Sequence, residues 1–104
     1  MRDSSYNDRV LYVILLSMKH GEKLSEPIIR EHVSFLRNLE EKGQLVLCGP
    51  FLDYKGGMVI IKAESMDEAR RVAESDPFVS SGLESYEIRR LEVSNEDNNH
   101  LGMG

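Results

Sequence analysis

The segment Arg9–Met18, RVLYVILLSM, constrains the fold more than any other part of the chain. Its β-branched and aromatic residues favour a strand. Alternation along a strand puts Tyr12, Ile14 and Leu16 on one face and Leu11, Val13 and Leu15 on the other. Both faces are apolar, so both need cover. The runs Leu45–Cys48 and Met58–Ile61 have the same character.

The other elements follow from their punctuation. KHGEKL is a polar loop, after which Ser25 caps a helix with Pro27 in its first turn. Ile28, Ile29, Val33, Phe35, Leu36 and Leu39 fall on one face of that helix, and Gly43 ends it. Gln44–Leu52 reads as a second strand, bent near Gly49-Pro50, and Met58–Ala63 as a third. Between them DYKGG reads as a turn, with Gly56-Gly57 a hairpin pair and not a phosphate loop. Ser65 and Glu68 predict a capping box for a second helix reaching about Glu74, and Glu84–Val93 is the fourth strand.

The order is βαββαβ, an α+β, ferredoxin-like arrangement: a four-stranded antiparallel sheet with two helices on one face. Two helices cover one side only. The other side would expose a large apolar patch, which soluble monomers rarely tolerate. The expectation is therefore a homodimer packed through the free sheet face.

Length and composition set the outer limits. At 104 residues the chain makes one domain, expected over residues 9–93, with a flexible extension at 1–8 and a polar, Gly-rich, disordered tail at 94–104. The net charge of -5, from 18 acidic and 13 basic residues, argues against nucleic acid as a partner. The N-terminus lacks an apolar signal core, and the longest apolar run, Val10–Leu16, is too short to cross a bilayer. No membrane partner and a cytoplasmic location are expected. One cysteine, Cys48, permits no intrachain disulfide and reads as a small buried hydrophobe. No Cys/His cluster has metal-ligand spacing, so neither a metal nor another cofactor is expected. His20, in a loop, and His100, in the tail, read as bystanders.

Topology points to one rim of the domain. The first helix starts where the first strand ends, and the second helix finishes at that same end. His32, about 9 Å down the first helix, and Asp76, just past the second, are brought toward each other. Ser17, at the end of the first strand, and Pro50 and Phe51, at the end of the second, approach the same region. His32 shares a helix face with Ile28, Phe35, Leu36 and Leu39, so it faces the interior or a cleft wall. Such an imidazole needs a partner. A carboxylate at Asp76 would fix its tautomer, orient the ring and support its cationic form, the arrangement of a general acid or base. The residues alone leave two readings of each. His32 is a satisfied core histidine or a proton-transfer group. Asp76 is an N-cap for a turn begun by Pro77, PFVSS, ended by Gly82, or it is the partner of His32.

The stretches REHVSFLRNLEEKGQLVLCGPF, GGMVIIKAESMDEARRVAESDPFVSSGL and ESYEIRRLE together resemble the YCII-related (YciI-like) domain family of the dimeric α+β barrel superfamily, from about Val10 to Val93. The resemblance carries the helix-borne His followed by an aromatic-Leu pair, GPF, the S-x-x-E-A-R helix start and Asp-Pro-aromatic before a Gly. It implies a ferredoxin-like domain that dimerises through its sheet. It also implies a His–Asp pair in a cleft as active site, falling on His32 and Asp76. The chemistry implied is acid-base elimination or rearrangement of small cyclic or aromatic compounds, such as dehydrohalogenation.

Two functions are carried forward. In the first the protein is a small cofactor-free enzyme in which His32 and Asp76 move a proton. Phe51, Phe78 and Tyr12 wall an apolar pocket with Pro50, and Ser17 supplies a hydrogen bond. In the second the same cleft belongs to a non-catalytic ligand-binding or accessory module.

Overall fold

A computed structural model of the protein describes residues 6–102. Residues 1–5 of the expected extension and residues 103 and 104 of the expected tail lie outside that range. The chain runs β1 (Val10–Met18), α1 (Glu26–Glu41), β2 (Leu45–Pro50), β3 (Gly56–Ile61), α2 (Met66–Ser75), α3 (Pro77–Ser80) and β4 (Glu84–Glu92). The strands form one antiparallel sheet of order β2-β3-β1-β4. This is the ferredoxin-like α+β arrangement.

One face of the sheet makes the core. Tyr12, Ile14 and Leu16 of β1 and Val59 and Ile61 of β3 pack against Leu39 of α1 and Ala69 and Ala73 of α2, all buried. Two alanines on α2 let that helix approach the sheet closely. Both helices start at a serine. Ser25 Oγ accepts from the Ile28 N–H and Ser65 Oγ from the Glu68 N–H, at 3.1 Å in the second case. The expected capping box at α2 is displaced by one residue. The Glu68 carboxylate accepts from the backbone N–H of Glu64, not from that of Ser65.

The glycine pair of the β2–β3 hairpin is not the turn. Gly56 and Gly57 are the first residues of β3, and the chain reverses before them, between Phe51 and Lys55. Close packing demands both glycines. A Cβ on Gly56 would run into the Leu16 carbonyl of β1, and one on Gly57 would lie 2.8 Å from the Gly49 carbonyl oxygen of β2. Gly82 answers a different need, a positive φ of 84° between α3 and β4, which costs glycine little.

Among the described residues no helix covers the second face of the sheet. Val13 pairs with Ile60 and Leu15 with Met58, half-buried, while Leu47 is 57% exposed and Leu91 45% exposed. Glu87 and Arg89 of β4 border this surface and form an ion pair at 3.3 Å. After β4, one turn of 3-10 helix, Glu96–Asn98, is held by a capping box at Asn95. It is tied back by the Asn98 side-chain amide, which donates to the Val93 carbonyl.

Replacing Gly56 with Ala forces β3 away from β1, and urea denaturation should register a loss of about 1–3 kcal/mol. Gly49→Ala is the control: open space surrounds that position, so stability should stay within about 0.5 kcal/mol of the parent.

Candidate functional site

Two elements meet at the rim where β1 ends. α1 brings His32, and the short junction between α2 and α3 brings Asp76. The junction is a single residue: Asp76 closes α2 and opens α3, with extended backbone at φ -64° and ψ 126°. Pro77 follows as the first residue of α3, its fixed φ suited to a helix start. The Asp76 carbonyl accepts from the N–H groups of Val79 and Ser80, each at 2.8 Å, so the backbone around this aspartate is rigidly held.

The Asp76 side chain is 2% exposed and makes two contacts with one oxygen. Oδ1 accepts from the Phe78 N–H at 2.9 Å, the N-cap bond of α3, and lies 2.9 Å from His32 Nδ1. The cap and the partnership, alternatives in the sequence, coexist on the same atom. A carboxylate only accepts, so Nδ1 donates to it. Nε2 is then left as the acceptor nitrogen, and it has no partner among the described residues. Phe78 stacks flat on the imidazole, with ring centroids 3.9 Å apart and planes within 10°. Phe35, one helical turn along, lies tilted at 6.2 Å. A hydrogen bond fixes the ring's rotation and two aromatic rings limit its tilt.

Beside this dyad is a cavity of about 600 Å³, within the range of small-molecule sites. His32 and Phe78 form part of its wall, together with Leu16, Met18, Ile29, Val33, Cys48, Pro50 and Phe51. Gly49, Gly56 and Gly57 also border it, and Gly57, on the face of Leu16 and Val59, both lets the strands pack and leaves room for a ligand. Ile29 and Val33, 41% and 37% exposed, look misplaced as core residues and make sense as cavity wall.

Four expected residues, His32, Pro50, Phe51 and Phe78, therefore border one space with Asp76 directly behind. Two do not. Ser17 falls outside the wall because strand parity turns it to the opposite face from Leu16. Its Oγ accepts from the Tyr54 hydroxyl at 3.0 Å. Tyr12 is buried in the core next to Ile61, two strand steps below the rim from Leu16.

Tyr54 and Glu84 are wall residues that reading the sequence missed. Tyr54 sits in the hairpin loop, its ring edge-on to Phe51 at 6.3 Å, and no local pattern announces that. Glu84 had a signal. It shares strand parity with Tyr86 and Ile88, which pack against the core, whereas Ser85 and Glu87 face out. Glu84 is 4% exposed, and its carboxyl is raised above the usual carboxylate range. Burial is the main cause and the nearby Asp76 adds to it, while His32 acts in the opposite direction. Among the described residues no group of three His, Cys, Asp or Glu is placed to hold a metal ion.

Comparison with known proteins places the chain. The model of the YCII-related domain matches residues 10–92. The chain belongs to the YCII-related domain family. YjpA of Bacillus subtilis (strain 168) is 33% identical over 83 residues, which are 80% of this chain and 98% of YjpA. The fold is similar to that of 5-chloro-2-hydroxyhydroquinone dehydrochlorinase (TftG) from Burkholderia phenoliruptrix AC1100, solved in complex with 2,5-dihydroxybenzoquinone. The TM-score is 0.63 and the sequence identity 25%, over 86% of this chain and 99% of the other. No helix among the described residues is long and apolar enough to cross a membrane.

Glu84 makes stability depend on pH. Above its ordinary value of 4.5 the unfolded chain gives up this proton while the folded one retains it, so the stabilising contribution is complete at lower pH and fades as pH rises through the elevated folded value. Glu84→Gln abolishes that titration. Denaturant unfolding of both proteins from pH 4 to pH 8 should show the variant gaining on the parent as pH increases.

Proposed function

We propose that this YCII-related protein is a small cofactor-free enzyme that carries out general acid/base chemistry, an elimination or a rearrangement, on a small cyclic or aromatic metabolite. One observation supports the reading above all: a histidine oriented by a buried aspartate, Nδ1 to Oδ1 at 2.9 Å, with its other nitrogen unengaged beside an apolar cavity. Nε2 takes a proton from the substrate. The positive charge that then forms on the ring faces the Asp76 carboxylate. The electron pair left by the departing proton moves into the ring system and in an elimination expels the leaving group with its own pair. In a rearrangement it accepts the same proton back at a second position. Apolar walls keep water from competing. The similarity to a dehydrochlorinase that binds a dihydroxybenzoquinone favours a hydroxylated ring as substrate and a halide as one leaving group.

The test is chloride release from 5-chloro-2-hydroxyhydroquinone and from a panel of other halogenated, hydroxylated rings. His32→Ala should lower kcat/KM by roughly 10²–10⁴-fold, with the circular dichroism spectrum unchanged and a lower melting temperature because buried Asp76 loses one of its two donors. Full activity in that variant on a confirmed substrate sinks the assignment. If ring compounds move the His32 NMR signals and none is turned over, the cleft belongs to a ligand-binding module.

We propose further that a second copy of the chain covers the open face of the sheet. Leu47, Leu91 and the half-buried row of Val13, Leu15, Met58 and Ile60 make an apolar surface that a monomer would leave in water. Sedimentation equilibrium should give a dimer at micromolar concentration, and Val13→Asp should give a monomer. A monomeric parent protein would refute the pairing.

A further inference from the structure

The first residue of β4 presents a carboxyl group that the dyad does not engage. Glu84 is 4% exposed, and among the described residues its side chain forms no hydrogen bond and no ion pair. Unpartnered buried carboxyls are costly, and a folded chain seldom retains one without a use. Nor are its oxygens sealed away. No side-chain oxygen among the described residues is both fully enclosed and unpartnered, and Glu84 lines the same cavity as His32 and Phe78. The unused hydrogen-bonding capacity therefore opens into the ligand space.

The two carboxyls of the rim differ in their surroundings. Asp76 has two N–H donors on one oxygen, which suit a carboxylate. Glu84 has none, is buried, and feels the charge of Asp76 with His32 acting in the opposite direction. In such a setting a carboxyl group that holds its proton has an O–H to donate, a part that the hydrogen-bonded carboxylate partner of His32 does not take. We infer that Glu84, buried, without a side-chain partner among the described residues and lining the cavity, is a further substrate-contacting residue that donates a hydrogen bond to an oxygen of the bound ring. The cavity then selects cyclic compounds that bear a hydroxyl or keto oxygen in addition to the atom that His32 addresses. This inference rests on the acid/base reading of His32 for its catalytic meaning, but the contact itself is a matter of binding. When His32 removes a proton, the pair that stays behind delocalises onto that oxygen. The Glu84 O–H then faces the developing charge without having to leave its own oxygen. Charge stabilisation of this kind is a large contributor in many enzymes.

Equilibrium binding separates the possibilities. The probes are 2,5-dihydroxybenzoquinone, catechol and the oxygen-free ring p-xylene, titrated by calorimetry into the parent protein and into Glu84→Gln, Glu84→Ala and His32→Ala. Glu84→Gln keeps a donor and should bind the oxygenated rings within about threefold of the parent at pH 6. Glu84→Ala should bind them roughly tenfold more weakly, the worth of one good hydrogen bond, and p-xylene as the parent does. His32 and Asp76 remain in both Glu84 variants, so the ratio of parent to Glu84→Gln affinity isolates the proton of Glu84. That ratio should fall as pH rises through the elevated value of Glu84. If Glu84→Ala fails to fold, this pH-dependent ratio decides alone. Equal binding of oxygenated rings by Glu84→Ala and the parent, a pH-independent ratio, equal weakening of p-xylene, or no binding of an oxygenated ring by the parent each overturns the inference. A Glu84 effect on binding with an active His32→Ala enzyme would leave this contact standing and remove the proposed base. Unchanged binding in Glu84→Ala with an inactive His32→Ala enzyme would do the reverse.

Discussion

One carboxylate oxygen organises the functional end of this domain. Asp76 Oδ1 receives the backbone N–H of Phe78 and the ring N–H of His32, each at 2.9 Å, in a setting where the side chain is 2% exposed. An isolated carboxylate at that depth would be costly, and two donors offset the desolvation. The first bond starts α3 and so aims the Phe78 ring. The second turns the imidazole. Phe78 then lies flat on the ring that its own N–H helps to orient. His32, Asp76 and Phe78 form a closed local circuit, and every member enters through residues 76–78 or one turn of α1.

The overall fold was legible because its signals are periodic. Dual-faced hydrophobicity in β1, the helical spacing in α1 and the serine starts of both main helices are local patterns, and the ferredoxin-like order follows from their succession. The approach of His32 to Asp76 across 44 residues was legible for a related reason: topology alone sends the start of α1 and the end of α2 to one rim. What stayed hidden depends on parity and on close approach. Ser17 was assigned to the cleft by its position along β1, but strand alternation faces it away from Leu16. Gly56-Gly57 reads as a turn because such pairs usually are turns. Only the nearness of the Leu16 and Gly49 carbonyls explains glycine inside a strand. Glu84 looked like an ordinary charge at the start of a polar-apolar strand, and the alternation of that strand buries it.

Packing and vacancy are connected here. A sheet built only of large side chains would fill the space between α1 and the β2–β3 end. Gly57, paired with Leu16 and on the same face as Val59, removes a side chain from that corner while keeping the backbone ladder intact. The cavity is thus a consequence of strand pairing in which the core, on the same face, is completed by Leu16 and Val59. Binding space and folding stability draw on the same residues at its floor and on different residues at its wall.

That division has a consequence for how such a protein can change. Phe51 and Tyr54 belong to a short hairpin loop, Phe51 partly covered and Tyr54 more exposed, and Leu52 between them is fully exposed. None of them supports the core or touches Asp76. Substitutions or length changes in this loop can reshape the opening while His32 and Asp76 stay where α1 and the α2–α3 junction hold them. The scaffold is in this sense modular: the helices and their junction hold the His32–Asp76 pair, and a handful of residues at the edge shape the opening.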